Sequence, residues 1–504
     1  MRHLVVLLWA LFPLAHSLAQ KQANVWYFSK RAGIDFNNGK RVPLLDGKAN
    51  SYEMNACISD KNGKLQFYTD WETVYNRDHQ VMVNGNGLRV YGLNAGVQSI
   101  IVPQPESENI YYLFHIGSEL IEPGKVIYKS LLFYSVIDMS SDNGRGAVIE
   151  KNTLLYDNTT PRLSAVHHAN GTDVWLVTHE GRNNVFRSYL ITAAGINANP
   201  VRSAVGNEHG GFVDASGGEV YDFFGQLKLS PTGKKIGLAH ATPYKNELPS
   251  VRLFDFDDQT GSVSNEKVIF KSLPNSIISP LGIEFSSNGR LLYFTETIFP
   301  GPISAITDTN IHQVDLNAFG NPSGRVTIYG KNTTYGVLQL GPDGRIYCPV
   351  NRGRDWTDPD YVIFGYLDVI ECPNNVGEAN LRTNSFPLYD FNRQPPNPRS
   401  IYRCIPQFIQ SYFKEQQPII EMPNVFTPNN DEFNPVFKPV DINLVRSASL
   451  KIFNRWGAVV YETNDPFLGW DGGEFETGVY YWLIDAVGTS CQPATRKGWL
   501  QLIR

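Results

Sequence analysis

One repeat constrains this chain more than any other feature of its sequence. Six segments share a pattern: a short apolar run, a polar turn usually holding Gly, then an apolar run centred on an aromatic residue. The first runs from Cys57 through the turn at Gly63 to Leu65-Gln-Phe-Tyr-Thr69, and the second from Ile101 to Ile110-Tyr-Tyr-Leu-Phe114. The others lead to Val174-Trp-Leu-Val-Thr178, Ile236-Gly-Leu-Ala239, Leu291-Leu-Tyr-Phe-Thr295 and Arg345-Ile-Tyr-Cys348. Their turns fall at positions 63, 108, 171, 233, 289 and 344, so successive units stand 45, 63, 62, 56 and 55 residues apart. Strand–turn–strand units at such a period signal a β-propeller. Asn-Gly and Asp-Gly supply the positive φ that tight hairpins require. Further apolar runs at 133–138, 185–191, 251–256 and 311–316 read as third strands, and those at 267–270 and 325–329 as fourth strands.

Residues 24–413 accommodate seven blades at this period, with six or eight left open. Both ends are expected to build the closing blade. Residues 24–29, 33–36 and 42–45 supply three of its strands, and 404–413 the innermost one, which hides sheet edges. Composition agrees with an all-β, turn-rich protein: 12% aromatic, only 18% charged, with 43 Gly and 31 Pro dispersed along the chain. That profile excludes a disordered chain and a collagen-like one, and no convincing amphipathic helix is present. Net charge is −5 without a basic tract, so the electrostatic footprint of a nucleic-acid binder is missing.

Residues 1–19 read as a secretory signal peptide. Arg2 and His3 precede an apolar stretch over 4–15 that is too short to span a bilayer. Ser17 and Ala19 place small residues where cleavage before Gln20 is expected, leaving no transmembrane segment. Cys57, Cys348, Cys372, Cys404 and Cys491 form no metal-ligand spacing. In an oxidising compartment one or two disulfides are open to them, with Cys372 and Cys404 the expected pair; five buried small hydrophobes is the other reading.

A polar stretch at 414–420 separates the propeller, residues 20–413, from a second module at 421–504. Short alternating runs divided by Gly, Asn and Asp turns describe a small β-sandwich there. Its motifs are Asn424-Val-Phe426-Thr-Pro428, Phe453-Asn454-Arg455-Trp456-Gly457, Gly469-Trp470-Asp471-Gly472, Gly478-Val-Tyr480-Tyr481 and the terminal Ile503-Arg504. These residues resemble the gliding-motility-associated C-terminal domain, also called the type B sorting domain, of Bacteroidetes proteins exported by type IX secretion. The resemblance implies a secreted or cell-surface protein with the type IX machinery as partner. The family's usual Gly-Asp-Gly loop is replaced here by Asn430-Asp431-Glu432-Phe433-Asn434, which argues against a cation there. The propeller resembles the region that often precedes this domain, through Trp26-Tyr-Phe28, Gly33-Ile-Asp-Phe36, Phe67-Tyr-Thr-Asp70, Asn76-Arg-Asp-His79, His168-Ala-Asn-Gly171, Trp175-Leu-Val-Thr-His-Glu180 and Phe408-Ile-Gln-Ser-Tyr-Phe413. No reaction follows from that kinship.

Catalytic signatures are missing: no nucleophile elbow, phosphate-binding loop, zinc helix or dinucleotide fingerprint occurs. Asp255-Phe-Asp-Asp258 with Gly261 lacks the ligands of a calcium loop and reads as a hairpin turn. His167 and His168 are adjacent on a strand and point to opposite faces. No catalytic residue, metal or cofactor is therefore assigned. The leading expectation is a binding propeller for a glycan or protein; the alternative is a hydrolase or lyase acting on an extracellular polysaccharide or lactone-like substrate. The repeat register supplies candidate binding positions just past each second strand: Asp70, His115, His179 with Glu180, His240, Glu296, and Asn351 with Arg352. These are expected to share one face of the disc.

Overall fold

Strands form where the apolar runs lie, and most of those runs are buried on both sides. All seven residues of Val174–Glu180 are buried, as are seven of the eight in Leu291–Ile298. A continuous apolar run fits a sheet packed on both faces, the situation of a blade between two others. The computed structural model describes residues 21–504 except 52–54, 71, 91–98, 121–127, 210–211, 214–218, 221–224, 242–247, 274–277, 299–307, 319–324, 329–333, 352–365, 378, 389–404 and 430–432. The expected signal peptide, Arg352 and Cys404 lie outside the described residues.

Among the described residues the strands of 25–387 group into seven blades, the second to fourth joined in one twelve-stranded sheet, with a small extra pair at Phe212–Val213 and Glu219–Val220. The first is Val25–Phe28, Ala32–Asp35 and Val42–Leu44. The second is Ala56–Ser59, Leu65–Thr69, Thr73–Asn76 and Val81–Asn86. The third joins Ser99–Pro103, Ile110–Leu120 and Tyr128–Asp138 to the start of Ala147–His167. The end of that same strand opens the fourth blade, pairing Ala165 with Leu176, before Asn183–Thr192 and Val201–His209. The fifth blade is Leu227–Leu229, Lys235–His240, Ser250–Phe256 and Val263–Lys271. Ile278–Phe285, Leu291–Ile298, Asp308–Asp315 and Arg325–Ile328 make the sixth. Gln339–Leu340, Ile346–Asn351, Tyr366–Ile370 and Leu381–Pro387 make the seventh. Inner strands of successive blades touch, and Trp26 meets Tyr347 edge-on at 5.3 Å to join the seventh blade to the first. The described residues of this part therefore form a seven-bladed β-propeller.

Closure differs from the sequence expectation. Residues 405–413 contain no strand; they make one bridge, Gln407 to Ile100, and end in a short 3-10 turn at Gln410–Phe413. Phe408 stacks on Trp26 at 5.6 Å, and the Ser411 hydroxyl lies 2.6 Å from His167 Nδ1. The Glu415 N–H then donates to the Ser287 carbonyl. One segment thus reaches the first, third, fourth and sixth blades, which only a path along the propeller axis allows. Its buried Ile405, Phe408, Ile409 and Phe413 fill the centre as a plug. Near that axis three successive inner strands also converge: Lys228 Nζ lies 2.9 Å from Glu284 and 2.6 Å from Gln339, all fully buried. Burial draws the Lys228 ammonium pKa down, and Glu284 opposes that shift.

The second module has its own core. Its five-stranded sheet runs Val425–Phe426, Pro493–Leu502, Gly478–Gly488, Val445–Phe453, Val459–Thr463, beside a two-stranded sheet of Ile419–Glu421 and Asp441–Asn443. Phe426, Phe437, Trp470, Tyr480 and Leu500 fill its interior. No helix among the described residues is long and apolar enough to cross a membrane.

A disulfide joins the two parts. Cys372 pairs with Cys491, not with Cys404, the partner expected from sequence. The reason is topological: Cys372 sits in the turn after Tyr366–Ile370, and that turn faces the hairpin carrying Cys491. Cys57 and Cys348 are buried inside strands. Glu371, next to the bond, receives Arg41 of the first blade at 3.4 Å, Arg345 of the seventh at 2.6 Å and Arg446 of the second module at 3.1 Å. Burial would raise its pKa, but the three guanidiniums hold it below the usual carboxylate range. Ser490 also lies against Ser287 at 3.3 Å. The second module therefore docks on the face formed by the hairpin turns.

Candidate functional site

Each candidate position lies five residues after the first residue of its strand: Leu65 to Asp70, Ile110 to His115, Val174 to His179, Lys235 to His240, Leu291 to Glu296, Ile346 to Asn351. The preceding hairpin turns all lie at the other end of these strands. Equal register therefore puts the six positions at one level, toward the face opposite the docked module. Their surroundings differ from the sequence picture, because the described side chains are buried and not solvated strand ends.

Asp70 serves its own hairpin. Its carboxylate accepts the Asn50 N–H at 3.0 Å, the Thr73 N–H at 3.2 Å and the Tyr75 hydroxyl at 3.2 Å. His115 is fully buried against Phe133, with ring centroids 5.7 Å apart, and burial lowers its pKa to about 4. Neither ring nitrogen has a hydrogen bond of normal geometry among the described residues, although the Arg89 backbone offsets a little of the shift. Desolvation likewise takes His179 down to about 3; its Nδ1 donates to the Glu180 carbonyl at 2.7 Å. Both imidazoles are thus neutral at physiological pH.

Glu180 is ionised and clamped. Arg187 Nε donates to it at 2.6 Å, Arg202 approaches at 3.1 Å and Asn183 at 2.5 Å. Burial works against its charge, but these partners hold its pKa down. Arg187 in turn lies 3.6 Å from the centre of the Tyr156 ring, a cation–π contact. Glu296 lies 2.5 Å from His312 Nε2, whose other nitrogen is 3.1 Å from the Thr327 hydroxyl. Asn351 ends its strand paired with Thr334, and Arg352 lies outside the described residues.

Equal register sets these positions at one level, and His179 among them senses groups on neighbouring strands. The charge of Arg162 and the ring of His240 both bear on His179, and all three residues are buried. Arg162 was not singled out from sequence. A register shift between Thr159 and Leu163 turns it inward, and the Thr178 hydroxyl donates to its carbonyl at 2.7 Å. The available signal was a charged residue within the apolar run 161–166. The sixth blade repeats the device: its inner strand shifts between Pro280 and Ile283, and the Thr295 hydroxyl accepts the Gly282 N–H at 2.7 Å.

Chemically, this level offers neutral imidazoles, a guanidinium and compensated carboxylates. Such groups recognise polar ligands by hydrogen bonding and charge. Among the described residues no group of three or more His, Cys, Asp and Glu side chains is arranged to hold a metal. Asp255, Asp257 and Asp258 serve the fifth-blade hairpin, Asp257 accepting the Gln259 N–H and the Thr260 hydroxyl.

The second module places its motif residues structurally. Phe426, Trp470 and Tyr480 are core, with Trp470 at 5.4 Å from Phe426 and 5.0 Å from Tyr480. Asn454 Oδ1 accepts the N–H groups of Trp456 and Ala458, which shapes the turn through Arg455 and Gly457. Asp471 accepts the Gly473 N–H, Arg504 reaches the Gly472 carbonyl at 3.3 Å, and Gly478 pairs with Leu502. The Asn424 carbonyl accepts the Gln501 N–H, and Pro428 follows in the opening segment.

No curated protein matches the chain. Among solved structures it is similar to the extracellular domain of a Bacteroides thetaiotaomicron protein described as a hybrid two-component system, at 13% identity and TM-score 0.33, over 96% of this chain and 55% of that one. It is also similar to a puromycin-hydrolyzing peptidase of Mycobacterium tuberculosis, at 11% identity and TM-score 0.36, over 92% and 59%. A quinonprotein alcohol dehydrogenase-like protein of B. thetaiotaomicron shares 10% identity and TM-score 0.36, over 78% and 79%. The chain therefore spans little more than half the length of the first two. Residues 420–502 match the CHU_C type IX secretion signal domain, within two residues of the module read from sequence. This protein is accordingly one that is exported by type IX secretion and is released or held at the outer cell surface.

Proposed function

We propose that the propeller, residues 20–413, is an extracellular recognition module for a glycan or protein, delivered by the sorting module at 421–504 behind a signal peptide at 1–19. The observation that carries this reading is the inequality of the two faces. The hairpin-turn end of the disc is occupied by the sorting module, docked through Cys491 and Ser490. The expectation that His115, His179, Glu180, His240 and Glu296 share the opposite end is supported by their equal strand register, and Arg162 is buried beside His179. Polar groups converging from several blades suit a ligand contacted from many sides. The motifs from Asn424 to Arg504 support the finer reading of a type B, gliding-motility-associated sorting domain on a Bacteroidetes surface protein.

Binding to an array of extracellular polysaccharides and to whole cells tests the proposal. His179→Gln and Glu180→Gln are the variants of choice, because each keeps a polar group of similar size. Both should lose retention under conditions where each variant remains folded, with the melting temperature read alongside because Glu180 is clamped by Arg187 and Arg202. Retention unchanged in both variants removes this face from recognition. Release of sugar ends from a bound polysaccharide would instead establish the enzymatic alternative.

A further inference from the structure

An antiparallel sheet with one solvated face normally alternates apolar inward and polar outward. The five-stranded sheet of the sorting module breaks that rule. Its inward positions Tyr480, Ile484, Leu500 and Leu502 build the core. On the outward side the register aligns Val459 with Phe453, Phe453 with Tyr481, and Tyr481 with Trp499, an apolar row crossing four strands. Val459, Tyr481 and Trp499 remain 50%, 50% and 51% exposed with the propeller in place. Trp456, in the turn joining two of these strands, is 79% exposed, with the Arg455 guanidinium 5.0 Å from its ring. The propeller does not cover this row, because it uses the hairpin end of the module at Ser490 and Cys491.

Leaving such a row in water carries a cost that only an occupant recovers. We propose that this aromatic row is the surface by which the export machinery reads the module. The occupant is a protein of that machinery presenting an apolar groove with an acidic rim. Three observations favour it. The module matches a type IX secretion signal domain, so its task is to be read by protein machinery. Trp, Tyr and Arg are the residues that dominate protein-binding hot spots. The row is bordered by Lys497, aligned with Leu483, and by Arg455, whereas the nearby Lys451 is already paired with Glu462 at 3.0 Å. This inference rests on the sorting reading and adds the contact surface.

The test uses the full chain in a host that carries type IX secretion. Tyr481→Thr with Trp499→Thr keeps strand propensity while removing the aromatic faces. Trp456→Ser with Val459→Thr attacks the same row from its turn, so misfolding of one pair leaves the other to decide. Val440→Thr changes an equally exposed residue at the other layer and serves as control. Folding is read from formation of the Cys372–Cys491 bond and from the melting temperature. Folded row variants should reach the medium or cell surface at levels reduced roughly tenfold or more and accumulate in the periplasm, with the control unaffected. Normal export of both folded row variants overturns the inference. A self-associated wild type that becomes monomeric in the row variants also overturns it, because the occupant is then a second copy. Deleting 421–504 separates the two levels of the argument: retention of the deletion alongside normal export of the row variants sinks only the surface, whereas export of the deletion sinks the sorting reading itself.

Discussion

Replacing Cys491 with Ser removes the covalent link between propeller and sorting module, and the structure fixes what should follow. The bond spans 119 residues. In the chain-entropy account, closing a loop of that length removes about 5 kcal/mol of unfolded-state freedom at 25 °C. Apart from contacts to the sulfurs, polar groups of the described residues meet across the seam in three places: Arg446 with Glu371, Ser490 with Ser287, and Gln492 with the Gln416 carbonyl. At roughly 1 kcal/mol each, these supply about 3 kcal/mol, short of the roughly 4 kcal/mol that even millimolar affinity requires. A site-specific protease sequence inserted after the exposed Gln417 makes the consequence measurable. Cleaved wild type should run as one species without reductant and as two with it, in gels and in gel filtration. Cleaved Cys491→Ser should separate without reductant at micromolar concentration. If that variant stays together, the seam is held by packing, and the ranking of covalent over non-covalent contact is wrong.

Acid should weaken the propeller through its buried histidines. His115 has a folded pKa of about 4 against 6.5 in its ordinary state, so the unfolded chain binds its proton first. Its contribution is complete above about pH 6.5 and is lost as pH falls toward about 4, at roughly 1.4 kcal/mol per pH unit. His115→Phe should flatten that slope in denaturant titrations at pH 7 and pH 5, and an unchanged slope refutes the assignment. Gly344 has φ +73°, and a Cβ there would come within 2.5 Å of Ser490 Oγ, so Gly344→Ala should loosen the seam and speed proteolysis around residues 414–417. Trp26 closes the ring against Phe36, Tyr347 and Phe408 at 5.0, 5.3 and 5.6 Å, so Trp26→Ala should cost about 3–5 kcal/mol in chemical denaturation.

Local chemistry made the blades legible. Glycines at 63, 171, 233, 289 and 344 turn the hairpins with positive φ, and the apolar runs beside them are the strands. The same register singled out His115, His179, His240 and Glu296 as candidates. Their burial was not legible, because it depends on neighbouring blades that no local run specifies. Arg162 was hidden for a related reason: a register shift turns it inward, and its position in the sequence does not announce that shift. Residues 404–413 look like a strand, with Ile405, Phe408 and Ile409 apolar, yet the axis claims the described part of them as a plug. Cysteine pairing failed on separation along the chain, since Cys372 and Cys491 meet only once the module docks.

The most direct test of the account is the fate of the chain lacking residues 421–504. Cell fractions and culture medium are probed for the propeller, with the signal peptide intact. The account predicts a folded propeller that crosses the inner membrane, loses its leader and stays in the periplasm, while the full chain appears outside. A truncated chain found in the medium or on the surface at the level of the full chain would contradict it.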